Sequence, residues 1–168
     1  YCFCVIVGAM LKIIEDNRKE LQEIFRKEGV VLAYLFGSQV RGTAGPMSDI
    51  DIAVLFSKEI PKENHFDKLL AIGSKLDTVF HVNTDVVGLN VTPPLLKHRA
   101  VLHGTPIFVQ DKSLQRAFEL RVLQEYEDFA YHLKKSYEII AKHTKQRTLG
   151  KPLISSLTSK YLKRYVAS

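Results

Sequence analysis

The apolar positions change period several times along the chain. In residues 12–28, Ile13, Ile14, Leu21, Ile24 and Phe25 fall roughly on one face of a 3.6-residue repeat, which predicts a helix stopped by Gly29. Residues 30–36 (VVLAYLF) form a nearly continuous apolar, β-branched and aromatic run, as expected of a strand covered on both faces. Gly37-Ser38 ends that strand, and a loop with Gly42, Gly45 and Pro46 follows. Residues 50–56 predict a second strand, broken only by Asp51. A helix over about 64–80, a strand over 82–89, a short helix from Pro93-Pro94 through Leu102 and a last strand over 106–109 complete the pattern.

From Asp111 the repeat becomes helical and long. Leu114, Phe118, Val122, Tyr126, Phe129, Leu133, Tyr137 and Ile140 recur at steps of three or four, with Leu123 and Ala130 widening the stripe. A helix of some 30 residues is roughly 45 Å long. That exceeds what a small sheet domain covers, so part of the stripe is expected to meet another chain, through which the protein would form homo- or hetero-oligomers. Gly150-Lys151-Pro152 is the expected stop, before a short helix with Leu153, Leu157, Tyr161 and Tyr165. The pattern thus predicts an α/β (α+β) domain over 10–110, with a mixed sheet of about four strands and helices on one side. A C-terminal helical extension over 111–168 follows.

Charge sharpens this division. Residues 1–110 carry 12 Lys+Arg and 12 Asp+Glu, whereas 111–168 carry 12 against 6, so the net +6 of the chain resides in the extension. A basic tail suits an acidic protein surface or a solvated helix face; nucleic acid is the lesser alternative. No apolar run approaches the length needed to span a bilayer, and residues 1–9 lack a basic n-region, so no membrane segment or signal peptide is expected. Met10 reads as the natural start. Cys2 and Cys4, with no later Cys, leave a zinc site short of thiolates, and a reduced cytoplasmic protein is the simpler reading.

The candidate chemistry lies around two junctions. Asp49 and Asp51 stand two apart, so on a strand they share a face. Among apolar neighbours that face is expected to be buried, and two buried like charges cost several kcal/mol unless a cation sits between them. Carboxylates with an incomplete shell suit Mg²⁺ or Mn²⁺, which keep positions open for substrate phosphates. At the other junction Gly37 permits close backbone approach, and the amides from Ser38 onward can face an anion. Metal-binding carboxylates beside a phosphate-binding turn are what a nucleoside triphosphate requires. No G-x-x-x-x-G-K-[ST] is present, so a P-loop is not the explanation. Asp85, within the predicted strand 82–89, is the third acid. Beside strand 50–56 it would face the same pocket, to hold a second metal or take the proton of an attacking hydroxyl.

At these residues the chain resembles the minimal nucleotidyltransferases of the DNA polymerase β-like superfamily. The family pattern of Gly-Ser, ten residues and Asp-x-Asp is matched by Gly37-Ser38, residues 39–48 and Asp49-Ile50-Asp51 without a gap. Arg41-Gly42 and Ser48 look like the minimal subgroup. The resemblance covers residues of about 12 to 110, and the helix after Asp111 is similar to the tail of antitoxin members. It implies a polymerase β-like nucleotidyltransferase fold, two Mg²⁺ ions and ATP as substrate. It also implies a partner, a helical HEPN ribonuclease toxin, onto whose tyrosine AMP is transferred. Carried onto this chain, Gly37 and Ser38 bind the triphosphate, Asp49 and Asp51 the metals, and Asp85 is the third acid. Gly88 stands where the family often has a further acid.

Several positions keep two readings. Arg41 is a phosphate contact or a surface ion pair, and Ser48 orients a carboxylate or satisfies a turn. His81, His98 and His103 show no metal spacing and read as surface or capping residues. Function keeps alternatives too: an antitoxin that occludes its toxin without catalysis, or nucleotidyl transfer to RNA or a small molecule.

Overall fold

The computed structural model describes residues 12–41 and 48–145. Cys2, Cys4, Met10, Gly42, Gly45, Pro46 and everything expected of residues 146–168 lie outside the described residues. The elements are α1 (Arg18–Lys27), β1 (Val30–Phe36), α2 (Ser38–Arg41), β2 (Ile50–Phe56), a 3-10 turn (Lys62–Asn64), α3 (His65–Phe80), β3 (Thr84–Gly88), α4 (Pro94–Leu102), β4 (Thr105–Val109) and α5 (Lys112–Lys145). Residues 12–16 are helical but separated from α1 at Asn17. There the side-chain amide and the backbone N–H both donate to the Ile13 carbonyl, at 2.9 and 3.1 Å. A short polar side chain competing for a helix carbonyl divides what the apolar spacing reads as one helix. Gly29, at φ +77°, ends α1 as expected. His81 performs the same turn for α3 at φ 56°, its N–H donating to the Asp77 carbonyl at 2.9 Å. That turn shortens β3 to five residues at its start.

The strands form one mixed sheet in the order β3-β2-β1-β4. β1 is antiparallel to both β2 and β4, while β2 and β3 run parallel. Parallel neighbours need a crossover, which α3 supplies. β1 lies inside the sheet and its residues Val30 to Leu35 are all buried, which accounts for its unbroken apolar run.

Alternation along the strands feeds two separate cores. Ile50, Ile52, Val54 and Phe56 pack with Leu21, Ile24 and Phe25 of α1 and with Ile72, Leu76 and Phe80 of α3. Ala53, Leu32 and Tyr34 pack with Ala100 and Val101 of α4 and Val122 of α5. The expected one-sided cover therefore describes α1 and α3. The opposite face is apolar as well, and α4 with the first turns of α5 cover it. The buried Tyr34 hydroxyl donates to Glu119 Oε1 at 3.1 Å, and Gln115 Nε2 donates to the same oxygen at 2.8 Å. Burial first, and the Glu119 charge second, push the Tyr34 pKa upward, so it remains a neutral donor.

The described residues up to Phe129 belong to one compact unit, and those from Ala130 to Lys145 to a second. In the second, Lys135 Nζ lies 5.5 Å from the Tyr131 ring centroid, and Leu133, Tyr137 and Ile140 are exposed. No helix among the described residues is long and apolar enough to cross a membrane.

Glu28, just after α1, ties that helix to α3. Its carboxylate accepts from Lys68 Nζ at 3.0 Å and from Lys75 Nζ at 2.6 Å. The Lys75 hydrogen bond, against the opposing effect of burial and with help from Lys68, holds the Glu28 pKa below its ordinary value. A depressed carboxylate stabilises above its unfolded pKa, and that stability is lost as pH falls through the folded one. Glu28→Gln is therefore expected to cost about 1 kcal/mol near neutrality in urea unfolding, and to make stability less steep in acid. An unchanged acid limb would show that the pair contributes nothing.

Candidate active site

Strand β1 delivers Gly37 to the end of the sheet, beside the first residues of β2. Phe36 pairs with Asp51 across the antiparallel ladder. Gly37 then turns the chain at φ +77°, a conformation costly for any residue with a Cβ. Space forbids that Cβ as well. Built onto Gly37, it would strike Asp51 Oδ2 and lie 2.6 Å from the Asp51 Cγ. The Asp51 carboxylate thus rests against the Gly37 backbone, and the two halves of the sequence motif are in contact. Ser38 opens α2 directly after the turn.

On the other side of β2, Asp51 and Asp85 are partners in the parallel ladder. Residues level in adjacent strands share a sheet face, so both carboxylates belong to the face of Ala53 and Val87, the side of α4 and α5. Asp49 sits one residue before β2, ahead of the ladder. The expectation that these acids are buried is not met: Asp51 is half-buried, while Asp49 and Asp85 are exposed. β3 is an edge strand and Asp51 stands second in β2, so all three lie where the sheet meets solvent. What calls for a cation is the adjacency of like charges rather than their burial.

Among the described residues, no three His, Cys, Asp or Glu side chains gather closely enough to hold a metal by themselves. The level pair Asp51 and Asp85 still fits Mg²⁺, which binds through one or two carboxylates and completes its octahedron with substrate phosphates and water. Ser48 is half-buried just ahead of β2. Arg41 closes α2, and its side chain lies outside the described residues.

A cavity of about 600 Å³ opens at this point, lined by Phe36, Gly37, Val40, Asp51, Leu96, Arg99 and His103. Its size lies within the range of small-molecule sites. Asp85 is not among its lining; it borders a neighbouring hollow of about 380 Å³ between α3 and β3. Leu96, Arg99 and His103 went unrecognised in the sequence, where His103 reads as a surface or capping residue. Their spacing of three and four residues, along α4 and onto the residue that caps it, is the signal that could have found them. Arg99 brings a permanent cation to a cavity whose lining carboxylate is Asp51. α4 is held in place by Lys97, paired with Glu125 of α5 at 2.7 Å, and by His98, stacked on Tyr126 at 3.7 Å between ring centroids. His98 also meets the His103 ring edge-on at 5.7 Å. Burial first, then the neighbouring His103, lower the His98 pKa, which favours its neutral form in the stack.

Residues 19–113 match the family described as polymerase beta, nucleotidyltransferase. The chain therefore belongs to the polymerase β nucleotidyltransferase family, and its fold and motif are those of a nucleotidyltransferase. A relative, the protein adenylyltransferase MntA of Shewanella oneidensis, is 28% identical over 144 residues, covering 84% of this chain and 89% of its own length. The fold also matches a toxin–antitoxin crystal structure with AMP-PNP, at a TM-score of 0.59 and 24% identity over 76% of this chain and 98% of that one. A complex of the tri-AMPylated Shewanella oneidensis HEPN toxin with MNT antitoxin matches at 0.56 and 21% identity, over 78% and 98% of the two chains. These two likenesses establish the shared fold.

Proposed function

We propose that this chain is the antitoxin of a toxin–antitoxin pair, a Mg²⁺-dependent enzyme that moves AMP from ATP onto a tyrosine of a partner HEPN ribonuclease toxin in the cytoplasm. The observation that carries the reading is the Asp51 carboxylate set against the Gly37 turn, level with Asp85, at the mouth of a nucleotide-sized cavity. The similarity to MntA, a protein adenylyltransferase, supports the choice of a protein acceptor.

In this reading the Gly37 turn and Ser38 admit the triphosphate close to the backbone, and Arg99 offsets its charge. Phe36, Val40 and Leu96 supply apolar surface for the nucleoside. The level pair Asp51 and Asp85 would hold Mg²⁺, with Asp49 just ahead of β2 as a further carboxylate once phosphates fill the shell, and the ion would neutralise phosphate charge and ease departure of the leaving group. The acceptor oxygen forms a bond to the α-phosphorus while the bond from that phosphorus to its bridging oxygen breaks, releasing pyrophosphate. The phenolic proton passes to the Asp85 carboxylate, which its edge position leaves open to an incoming side chain. Incubation of the protein with α-labelled ATP, Mg²⁺ and a HEPN ribonuclease toxin is expected to label the toxin on tyrosine. Absence of label would sink the proposal.

One observation favours a second reading. Leu133, Tyr137 and Ile140 of α5 are exposed at the spacing of one helical stripe, as a partner-binding surface requires. Occlusion alone would then silence the toxin. If the double variant Asp49→Ala, Asp51→Ala still protects cells from the toxin, occlusion is the mechanism; if protection is lost while the complex still forms, catalysis is.

A further inference from the structure

We infer that the acceptor polypeptide docks as an added strand along the free edge of β3, with an apolar side chain seated between β3 and the start of α3. The inference rests on the proposed transfer to a protein and identifies how that protein is held.

β3 is the last strand on its side of the sheet. Its bonds to β2 fix which residues face outward. Ile50 N–H donates to the Asn83 carbonyl at 2.9 Å, and Leu89 N–H to the Val54 carbonyl at 2.8 Å. Both anchors fall at odd positions, so by the alternation of a parallel ladder the even residues turn their N–H and C=O to the open side. Each of the outer two has one backbone group already engaged within the chain. Thr84 N–H donates to Asp77 Oδ1 at 2.6 Å, and the Gly88 carbonyl accepts from Thr92 Oγ1 at 2.7 Å. Val86, between them, presents a donor and an acceptor to an incoming backbone. Capping an edge at both ends limits indiscriminate pairing and leaves a short, defined template.

Beside this template lies the hollow of about 380 Å³, flanked by Phe66 and Leu70, which are 67% and 59% exposed. Two large apolar side chains four apart on a helix, both in water next to a free strand edge, suit the seat of an apolar residue in an extended peptide. The same hollow carries the Asp77 carboxylate and is bordered by no Lys or Arg, while Asp85 turns its carboxylate to the opposite face. The lysines nearest in sequence, Lys68 and Lys75, are both turned to Glu28. Charge complementarity therefore selects a segment with basic residues beside its apolar anchor.

Strand alternation links this docking to transfer. In an added strand, successive side chains point to opposite faces. One facing α3 enters the hollow, and its neighbour emerges on the face that carries Asp85 and Asp51. A strand spacing of about 4.8 Å sets that neighbour beside Asp85, where a hydroxyl side chain reaches the acids.

The test uses the whole chain, Mg²⁺, AMP-PNP as binding probe, and labelled ATP with a HEPN ribonuclease toxin as acceptor. Two variants are compared: Val86→Pro, which removes the outward N–H, and Phe66→Lys/Leu70→Lys, which changes only exposed positions and places like charge against a basic segment. Both are expected to bind AMP-PNP as the unaltered chain does, while KM for the acceptor rises about tenfold or more. An unchanged KM in the lysine double variant overturns the inference and leaves the transfer reading standing. A shift from dimer to monomer with KM unchanged also overturns it, since the edge then pairs two copies of this chain. If the unaltered protein binds AMP-PNP yet labels no HEPN protein, the transfer reading fails and the acceptor site falls with it.

Discussion

Asp51→Asn is expected to lower the rate of nucleotidyl transfer by about 100-fold or more while the protein stays folded. Asparagine keeps the shape of the side chain, so the ladder contacts to Phe36 and Asp85 and the contact with the Gly37 backbone are retained. What is lost is the charge. Asp51 is the acid that touches the Gly37 turn, lines the cavity and stands level with Asp85. In the proposed mechanism a neutral amide there would leave the divalent ion with a weaker ligand where the turn would meet the phosphates. The thermal shift given by Mg²⁺ and AMP-PNP should shrink with the rate. Initial-rate measurements and a melting curve of the same preparation check both. A variant with a full rate would remove Asp51 from the mechanism.

Gly37→Ala is the second large effect, and it should strike stability and activity together. At φ +77° an L residue is disfavoured by about 1–2 kcal/mol, and the new methyl group would also collide with the Asp51 carboxylate. The collision is relieved by swinging the carboxylate out of line or by re-forming the turn. A displacement on the order of 1 Å in a positioned group can cost about 100-fold in rate, so activity should fall more than stability alone explains. The partition is measurable. In an Asp51→Ala background the colliding carboxylate is gone and only the Cβ of residue 51, 3.0 Å away, still crowds the new methyl, so Gly37→Ala should cost little beyond its backbone strain. Unfolding free energies of the two single variants and the double give the coupling directly. Additive values would mean that the carboxylate does not rest on the glycine.

The sequence was read well where one local cause determines an element. β1 and β2 were placed to the residue because unbroken apolar runs end in Gly37-Ser38 and begin after Asp49, and Pro93-Pro94 announced α4. β3 was read too long because His81 makes a left-handed turn with no glycine to signal it. The second face of the sheet was not legible. α4 has no clear apolar stripe, since it buries only Ala100 and Val101 and turns Leu96, Arg99 and His103 to the cavity. Asp49 and Asp51 stand out by their spacing and Asp85 as an acid within a predicted strand, but their exposure differs from the burial expected of them. An aspartate among valines looks the same in a core strand and an edge strand, and only the strand order separates the two. The level placement of Asp51 and Asp85 depends on a parallel register that no local pattern encodes.

That register also bears on when the protein becomes competent during its own folding. Asp51 and Asp85 meet only after the chain has travelled out through α3 and returned in the same direction. Antiparallel joining of β1 to β2 involves a shorter excursion and brings Gly37 to Asp51 first. Because non-local parallel pairing forms late, the turn is expected to precede the second acid, and a refolding chain should regain helical signal before it regains affinity for nucleotide. A newly made molecule would then pass through an interval in which it is ordered but inert.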